Sequence, residues 1–390
     1  MSAFDVVVIG AGAAGMMAAA TAGKRGRRVL LLDHAAEPGR KILISGGGRC
    51  NFTNTETSPE RFFSANPHFA RSALAQYSAA DFCALVARHG IASHEKTAGQ
   101  WFCDGSARSI VAMLRAECEA AAVDLRLDHQ ITSLGRSDAF SVATNHGSFT
   151  APSLILATGG LSIPKLGATG FTYDAARRFG LPLTELRPAL VPLVANDNDV
   201  ALMRPLSGTA LPVAARCGKA EFRDALLFTH RGLSGPAILQ VSSAWRDGHP
   251  VLLDLLPGID AYGALRTAKA ARPRATLRTV LASLLPQRLA DALAPRWPGG
   301  EMANLPDRML AELARTLSHW TVVPSGTEGY AKAEVTLGGV DTRVLSSRTM
   351  AATAVPGLFV VGEAVDVTGW LGGYNFQWAW SSGWCAGMAA

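Results

Sequence analysis

Residues 4–33 read FDVVVIGAGAAGMMAAATAGKRGRRVLLLD, and this stretch decides the fold. The apolar run at 4–9 is typical of a parallel strand buried on both faces, and the run at 29–32 predicts a second such strand. Between them stands Gly10-Ala-Gly12-Ala-Ala-Gly15, which continues into an Ala/Met-rich helical stretch. Asp33 ends the second strand, 21 positions after Gly12.

Each glycine of this turn has its own physical role. Gly10 permits a tight turn, Gly12 lets the backbone approach a pyrophosphate, and Gly15 lets the helix pack on the strand. The helix N-terminus then faces the phosphates, and the carboxylate of Asp33 is spaced to bind a ribose. The order of strand, glycine turn, helix, strand and acid predicts a dinucleotide site, but it does not distinguish FAD from NAD.

Composition narrows the class of protein. The chain has 390 residues, 48% of them hydrophobic and 17% charged, which predicts a well-buried globular protein of two or three domains. The net charge of +6 is typical of a solvated surface. The six cysteines form no CxxC pair, so we expect free thiols and a cytoplasmic protein. The glycines interrupt the uncharged N-terminal stretch, so we expect neither a membrane span nor a secretory signal.

A second glycine cluster follows the first. Residues 39–54 read GRKILISGGGRCNFTN, and three successive glycines are incompatible with a regular strand or helix. Backbone N–H groups in such a loop can form an anion-binding nest. The polar residues around the glycines favour a binding loop over a flexible surface loop.

This stretch resembles the signature of the YhiN/BaiN-like flavoproteins, a family also linked to aminoacetone oxidase. Further matches follow in order along the whole chain: ATGG at 157–160, PKLGATG at 164–170, LFTHRGLSGP at 227–236, AEVTLGGV at 333–340, GLFVVGEAVD at 357–366 and GGYNFQWAWSSG at 372–383. Two positions depart from the family pattern, since Asp33 stands where Glu is usual and Leu337 replaces a small residue.

The resemblance implies FAD rather than NAD, and an α/β fold with a discontinuous, Rossmann-like FAD-binding domain of the glutathione-reductase type. In such folds the segment at 357–366 brings an Asp to the ribityl chain, and the helix that starts at Tyr374 points at the pyrimidine edge of the flavin. A positive helix end there stabilises the charge that builds up on reduction. The residues expected to contact FAD are Gly10, Gly12, Ala13, Ala14, Gly15, Asp33, His34, Arg40, Lys41, Ser45, Gly46, Gly47, Gly48, Arg49, Cys50, Asn51, Ile131, Thr158, Gly159, Gly362, Glu363, Asp366, Gly372, Gly373, Tyr374, Asn375 and Phe376.

The middle of the chain reads as an insertion. We expect the FAD-binding domain at 1–189 and 330–390, an inserted β-barrel-like domain at 190–257, and an inserted helical bundle at 258–329. Short strand patterns support the first part of the insertion, and helical patterns separated by prolines support the second. Ser234 is a plausible N-cap for a helix in the first part.

The expected chemistry is hydride transfer between flavin N5 and a small organic substrate, with NAD(P)H as a possible transient donor. No second G-x-G-x-x-G motif follows a strand, and no metal-binding cluster is visible. Tyr374, Asn51 and His230 are the candidate catalytic residues, His230 because it lies in a Thr-His-x-Gly-x-Ser-Gly-Pro motif.

Two alternatives stay open. One is an amine oxidase that uses O2, as the aminoacetone-oxidase relatives suggest. The other is a tRNA- or RNA-binding or RNA-modifying flavoprotein, for which the seven Arg and Lys residues between 260 and 300 are the only signal. These cations have no interleaved aromatic platform, so we expect a solvated face and no nucleic-acid partner. The oligomeric state stays open.

Overall fold

The computed structural model describes residues 2–390. The chain divides into two compact units. The first unit runs to Arg187 and resumes from Val335 to Ala390, and the second comprises Pro188–Glu334. The domain boundaries at 190, 258 and 330 remain predictions.

The strands, in chain order, are β1 (Ser2–Ala3), β2 (Val6–Ile9), β3 (Val29–Leu32), β4 (Asn51–Asn54), β5 (Phe62–Phe63), β6 (Ser93–Glu95), β7 (Gln100–Cys103), β8 (Asp124–Arg126), β9 (Ile131–Arg136), β10 (Phe140–Thr144), β11 (Gly147–Ala151), β12 (Ser153–Leu156), β13 (Arg187–Ala189), β14 (Leu193–Val194), β15 (Ala210–Cys217), β16 (Ala220–Phe228), β17 (Gly232–Ser234), β18 (Val251–Asp254), β19 (Trp320–Val322), β20 (Gly326–Thr327), β21 (Val335–Leu337), β22 (Leu358–Val360) and β23 (Thr368–Gly369).

The α-helices are α1 (Ala13–Lys24), α2 (Arg40–Ile44), α3 (Ala70–Gln76), α4 (Ala79–Arg88), α5 (Arg108–Ala120), α6 (Phe171–Arg178), α7 (Asp197–Met203), α8 (Pro236–Ser242), α9 (Ala261–Ala271), α10 (Leu277–Ala282), α11 (Gln287–Leu293), α12 (Asp307–Ser318) and α13 (Tyr374–Ala389).

A five-stranded parallel sheet forms the centre of the first unit, in the order β22-β12-β2-β3-β8. Every residue of β2, β3 and β22 is buried, because both faces of a parallel sheet are covered. This sheet and its crossover helix confirm the predicted Rossmann-like fold. Because the strands are parallel, the segments that follow β2, β3, β12 and β22 meet at one edge of the sheet.

Helices α1 and α13 lie close together in this unit because glycines replace side chains at their contact. A Cβ on Gly383 would collide with the carbonyl oxygen of Ala14, and a Cβ on Gly387 would come within 2.7 Å of Thr21 Cβ. This close packing connects the start of the chain to its C-terminal helix.

Smaller sheets surround the central one in the same unit. Strands β1, β11, β10 and β9 form a four-stranded sheet, β4, β7 and β6 form a three-stranded sheet, and β5 pairs with β23. The three-stranded sheet contains β4, which follows the second glycine cluster. The pair of β5 and β23 lies just before α13 in sequence through β23.

The second unit contains a seven-stranded antiparallel sheet in the order β19-β18-β15-β16-β17-β14-β20. Strands β19 and β20 follow the helical segment in sequence, so the sheet takes strands from both sides of that segment. The helix expected to start at Ser234 begins instead at Pro236. Ser234 belongs to β17 and pairs with Leu227, and Gly235 turns the chain with a φ of +88°.

In the part of the chain that the structure describes, no helix has the length and the apolar character needed to cross a bilayer.

Candidate cofactor and active site

The first glycine turn forms an open cradle of backbone at the start of α1. Gly10 has a φ of +106°, and a Cβ there would lie 2.6 Å from the carbonyl oxygen of Ala157. A Cβ on Gly15 would collide with the carbonyl oxygen of Gly10. A Cβ on Gly12 would have no atom of the chain within 4 Å, so the space beside this helix N-terminus is open. The turn therefore fits a pyrophosphate, which the first N–H groups of α1 would hold.

Asp33 lies beside this turn, at the end of β3. One carboxylate oxygen accepts a hydrogen bond from Ala11 N at 2.6 Å, and the other accepts one from Ala35 N at 2.8 Å. These bonds fix the orientation of the carboxylate and leave lone pairs for ribose hydroxyls. His34 and Arg40 approach Gly167, since a Cβ there would lie 2.6 Å from His34 Nε2 and 3.4 Å from Arg40.

The second glycine cluster follows α2. Gly46, Gly47 and Gly48 have φ values of +56°, +66° and +84°, a run of left-handed conformations that disfavours side chains. Cβ atoms on Gly47 and Gly48 would meet nothing within 4 Å, so this loop presents bare backbone. Ser45 closes the preceding turn, because its hydroxyl donates to Ile42 O at 2.7 Å.

Cys50 follows the loop and is fully buried, with a φ of +53°. Burial raises the pKa of its thiol to about 12. The thiol therefore stays protonated near neutral pH, which disfavours nucleophilic or redox chemistry at this position.

Strand β4 lies against the start of α13. A Cβ on Gly373 would collide with Thr53 O and lie 2.9 Å from Asn51 Oδ1, so only glycine allows this contact. Asn54, which is buried, donates from one amide nitrogen to Gly372 O and to Ala98 O, both at 2.9 Å. The polar residues of the 51–54 segment thus hold the glycine pair that begins the helix.

The first turn of α13 carries three predicted site residues. Tyr374 is buried, and burial raises the pKa of its hydroxyl. Asn375 holds the preceding loop, since its amide accepts from Gly369 N at 2.8 Å and donates to Gly369 O at 2.9 Å. Phe376 stacks on Trp380 with ring centroids 5.6 Å apart.

A polar network connects three of the loops at the carboxyl edge of the sheet. Lys41 Nζ lies 2.5 Å from Glu363 Oε2 and 2.5 Å from Ser162 Oγ. Ser162 donates to Glu363 Oε1 at 2.7 Å, and Thr336 N donates to the same oxygen at 2.9 Å. Lys41 and Glu363 are themselves predicted FAD contacts, and Ser162 follows the glycine turn at 157–160.

Asp366 is more enclosed than the ribityl assignment expects. It is buried, one of its oxygens accepts from Ala65 N at 3.0 Å, and burial raises its pKa. Thr158, another predicted contact, shares a hydrogen bond of 2.7 Å with the hydroxyl of Thr172. Ile131 begins β9 and is partly exposed.

His230 belongs to the second unit, whereas Asn51 and Tyr374 belong to the first. It is exposed at the turn between β16 and β17, where the hydroxyl of Thr229 accepts from Arg231 N and Gly232 N. His230 therefore lies in a hairpin turn.

Two residues next to the predicted site escaped the sequence reasoning. Ser162 joins the Lys41–Glu363 pair, and Gln100 accepts from the amide of Asn51 at 2.9 Å. Both lie in stretches without a motif of their own, and only long-range contacts reveal them.

A family model and full-length relatives both match nearly the whole chain. The model of the HI0933-like protein Rossmann domain matches residues 4–389. A ribosomal RNA dihydrouridine synthase of Escherichia coli (strain K12) is 51% identical over 99% of this chain and 98% of its own. The enzyme of the same name from Haemophilus influenzae is 45% identical over 98% of this chain and 97% of its own.

Among solved structures, the chain resembles 3-ketosteroid-Δ4-(5α)-dehydrogenase from Rhodococcus jostii RHA1 in fold. The TM-score is 0.53 at 15% identity, with 100% of this chain and 96% of the other covered. This likeness concerns the fold alone.

These relatives correct two expectations. Hydride transfer to a small organic substrate was the main expectation, and it is wrong, because the two full-length relatives are named for the modification of ribosomal RNA. The expectation that nucleic acid is no partner conflicts with the same finding. The basic helical segment shows no interleaved aromatic platform, but that criterion considers only one segment of the chain.

Proposed function

Since this chain belongs to the HI0933-like family of Rossmann-domain proteins, we propose that it reduces a uridine of ribosomal RNA to dihydrouridine. The protein is an FAD-dependent oxidoreductase. The observation that carries the proposal is the 51% identity to a ribosomal RNA dihydrouridine synthase across almost the whole of both chains.

The reaction adds two hydrogens across the C5=C6 bond of uracil. C6 is the β-carbon of a conjugated carbonyl and is the electrophilic end of that bond, so it takes the hydride, and C5 takes a proton. When bound and in its two-electron-reduced form, the flavin cofactor would supply the hydride and would end the step as oxidised FAD. NADH or NADPH is the proposed source of the electron pair that restores the reduced cofactor.

We assign the predicted contacts to three parts of the cofactor. The backbone cradle at Gly12 and the N-terminus of α1 would take the pyrophosphate. Asp33 takes the ribose of the adenosine. The glycine pair at 372–373 and the first turn of α13 would hold the pyrimidine edge of the flavin, where the positive helix end would stabilise negative charge.

Tyr374 is the proposed proton donor. Its buried hydroxyl keeps its proton because burial raises its pKa. It lies in the first turn of α13, next to Gly373 and Asn51. Asn51 is assigned to orient the uracil carbonyls. His230, exposed in the second unit, is assigned as an anchor for the RNA.

The second unit offers cations to an RNA backbone. In this unit Lys269 and Arg278 are paired with Asp307 and Asp291 at 2.9 and 2.7 Å. Arg274 and Arg296 are different, since neither has a carboxylate within ion-pair distance among residues 2–390. Unpaired guanidinium groups suit phosphate contacts.

The test uses purified holoenzyme and ribosomal RNA transcribed in vitro, which carries no modification. We expect NADH or NADPH to support formation of dihydrouridine, detected by mass spectrometry as a nucleoside that has gained two hydrogens. The Gly12→Val variant, which lacks room for the pyrophosphate, is the matched control. Ribosomal subunits are tested as a second substrate. Absence of dihydrouridine from both the full-length RNA and the subunits would contradict the proposal.

A ribosomal RNA substrate also agrees with the cytoplasmic location that the cysteines predict. All six cysteines are free in the structure, which suits a reducing compartment.

A further inference from the structure

We propose that Arg61 and Trp370 form the platform on which the target base of the RNA docks beside the active site. This inference rests on the proposed function, because it names the residues that would hold the RNA substrate. It concerns a pair of side chains that no sequence motif singled out.

The pair is built by the small sheet of β5 and β23. Phe62 pairs with Gly369 and Phe63 with Thr368, so the residues that flank the two strands face each other. Trp370 N donates to Arg61 O at 3.0 Å, which extends this pairing by one residue. The Arg61 guanidinium lies over the Trp370 ring, 4.5 Å from its centroid.

The platform is tied to the start of α13 from both strands. Trp370 precedes Tyr374 by four residues, with the glycine pair between them. Phe62, next to Arg61, contacts the Tyr374 ring edge-to-face with centroids 6.1 Å apart. Asn375 clamps Gly369 through two hydrogen bonds, so the loop that carries Trp370 is held against the helix. The pair therefore has a fixed position relative to the residues assigned to uracil.

Arg61 is available to a ligand. Its side chain is 35% exposed, and Trp370 is partly exposed. Its carboxylate partner is Glu56, at 3.3 Å, but the Glu56 side chain is 61% exposed, so water weakens this ion pair. A base can therefore replace the water at the Arg61 guanidinium without breaking a strong ion pair.

The chemistry of the pair matches a single-stranded nucleobase. Proteins read unpaired RNA by stacking its bases on aromatic rings and on guanidinium planes. A guanidinium spread over an indole presents a flat, positively charged face to the next ring, and its N–H groups are directed to carbonyls or phosphates in the plane. A uridine placed on this face would lie near the start of α13, since Phe62, next to Arg61, contacts the Tyr374 ring.

The same contact in a purely structural role would contribute only to stability. Arg136 provides a matched comparison within the same unit, because its guanidinium lies 5.2 Å from the Phe140 centroid and donates to Pro356 O at 2.9 Å. It is a surface cation on an aromatic ring that lies outside the assigned site.

The experiment compares Arg61→Ala, Arg61→Lys, Trp370→Leu and the control Arg136→Ala as holoenzymes. Two quantities are measured: the Kd for a fluorescein-labelled single-stranded oligouridylate, and KM and kcat for dihydrouridine formation in transcribed ribosomal RNA. FAD content and melting temperature are recorded for each variant.

We expect Arg61→Ala and Trp370→Leu to raise Kd and KM by about tenfold, with a smaller change in kcat, as loss of one stacked base predicts. Arg61→Lys keeps the charge but loses the plane, so we expect an intermediate increase. Arg136→Ala should bind and turn over RNA like the unaltered protein.

Several outcomes would overturn the platform. One is unchanged Kd and KM in both Arg61→Ala and Trp370→Leu. Another is an equal effect in Arg136→Ala, and a third is loss of FAD or of the fold in both platform variants, which would make the pair structural. If the unaltered holoenzyme forms no dihydrouridine, the proposed function fails, whereas the Kd for oligouridylate still tests the platform. Unchanged Kd and KM in both platform variants of an active enzyme would overturn the platform alone, so the two failures are distinguishable.

Discussion

Lys41 and Glu363 stand 322 positions apart in the sequence, yet Nζ and Oε2 lie 2.5 Å from each other. The glutamate is mostly buried and also accepts from Ser162 and Thr336, so one carboxylate joins four segments of the chain. Three of those segments carry glycine motifs assigned to the cofactor. The pair thereby links the residues assigned to the cofactor to the packing of the C-terminal part of the chain against the N-terminal part.

Glu363→Gln should weaken both the fold and FAD retention. The amide keeps the shape of the carboxylate but loses the charge that faces Lys41, and we expect the free energy of unfolding to fall by about 1–3 kcal/mol. Chemical denaturation and the Kd for FAD added to apoprotein measure the two effects. Glu221→Gln is the control, because Glu221 pairs with Arg216 and Arg223 at an exposed site of the second unit. Equal effects in both variants would contradict the coupling.

Two glycine variants separate cofactor binding from folding. Gly12 has an extended backbone, with φ −84° and ψ −166°, and open space beside it, so Gly12→Val should fold normally but lose FAD. Gly10→Val should instead destabilise the protein, because its Cβ meets the Ala157 carbonyl and its φ is positive. Flavin absorbance after gel filtration and the melting temperature distinguish them. A yellow Gly12→Val protein would contradict the cradle assignment.

Asp366 should make the apoprotein less stable as pH rises. Burial raises the pKa of this carboxyl in the folded state above its value in the unfolded state. The contribution of the protonated carboxyl to the free energy of unfolding is therefore fully present below the unfolded pKa. Stability is then lost as pH increases through the folded pKa. We expect Asp366→Asn, which can still accept from Ala65 N, to be more stable than the natural protein at neutral pH and equal to it in acid.

Urea denaturation between pH 3 and pH 8 measures this difference. Asp341 gives the opposite sign, because its hydrogen bonds with Arg343 lower its pKa. Its contribution is present above the unfolded pKa and is lost as pH falls through the folded pKa. Asp341→Asn should therefore destabilise the protein at neutral pH, and identical pH profiles for the two variants would refute the argument.

Tyr374→Phe should lower kcat for dihydrouridine formation by about 100-fold, the usual effect of removing a proton donor. FAD content should not change, because the ring contact with Phe62 remains. Since burial raises the Tyr374 pKa, the natural enzyme should not lose activity through ionisation of this hydroxyl near neutral pH. Tyr262→Phe in the second unit is the control, and a kcat equal to that of the natural enzyme would remove Tyr374 from the reaction.

Charge reversal at Arg274 and Arg296 should weaken RNA binding. Each lost phosphate contact is expected to reduce the slope of log K against log salt by about 0.7 to 0.9. Filter binding of ribosomal RNA over a range of salt concentrations measures the slope. Arg216→Glu with Arg223→Glu is a charge-matched control on the sheet of the second unit, and an equal loss there would indicate only net charge.

Local patterns account for a large part of the fold. The predicted strand at 29–32 coincides with β3, the predicted strand at 4–9 contains β2, and the helix after Gly373 begins at Tyr374. Such elements follow from hydrophobic runs and from glycines whose backbone conformation excludes other residues. Ser234 shows where this reasoning fails, because strand pairing with Leu227 overrides its capping preference.

The sequence by itself determined the Rossmann-like fold and the glycine turns, because these depend on residues close together in the chain, and its family resemblance along the whole chain implied FAD. It did not determine the substrate, and the small-molecule expectation was wrong. Only the tertiary structure decided that Lys41 meets Glu363 and that Arg61 covers Trp370. Each of those pairs joins segments more than 300 residues apart, and their contact depends on strand pairing and helix packing, which no local pattern encodes.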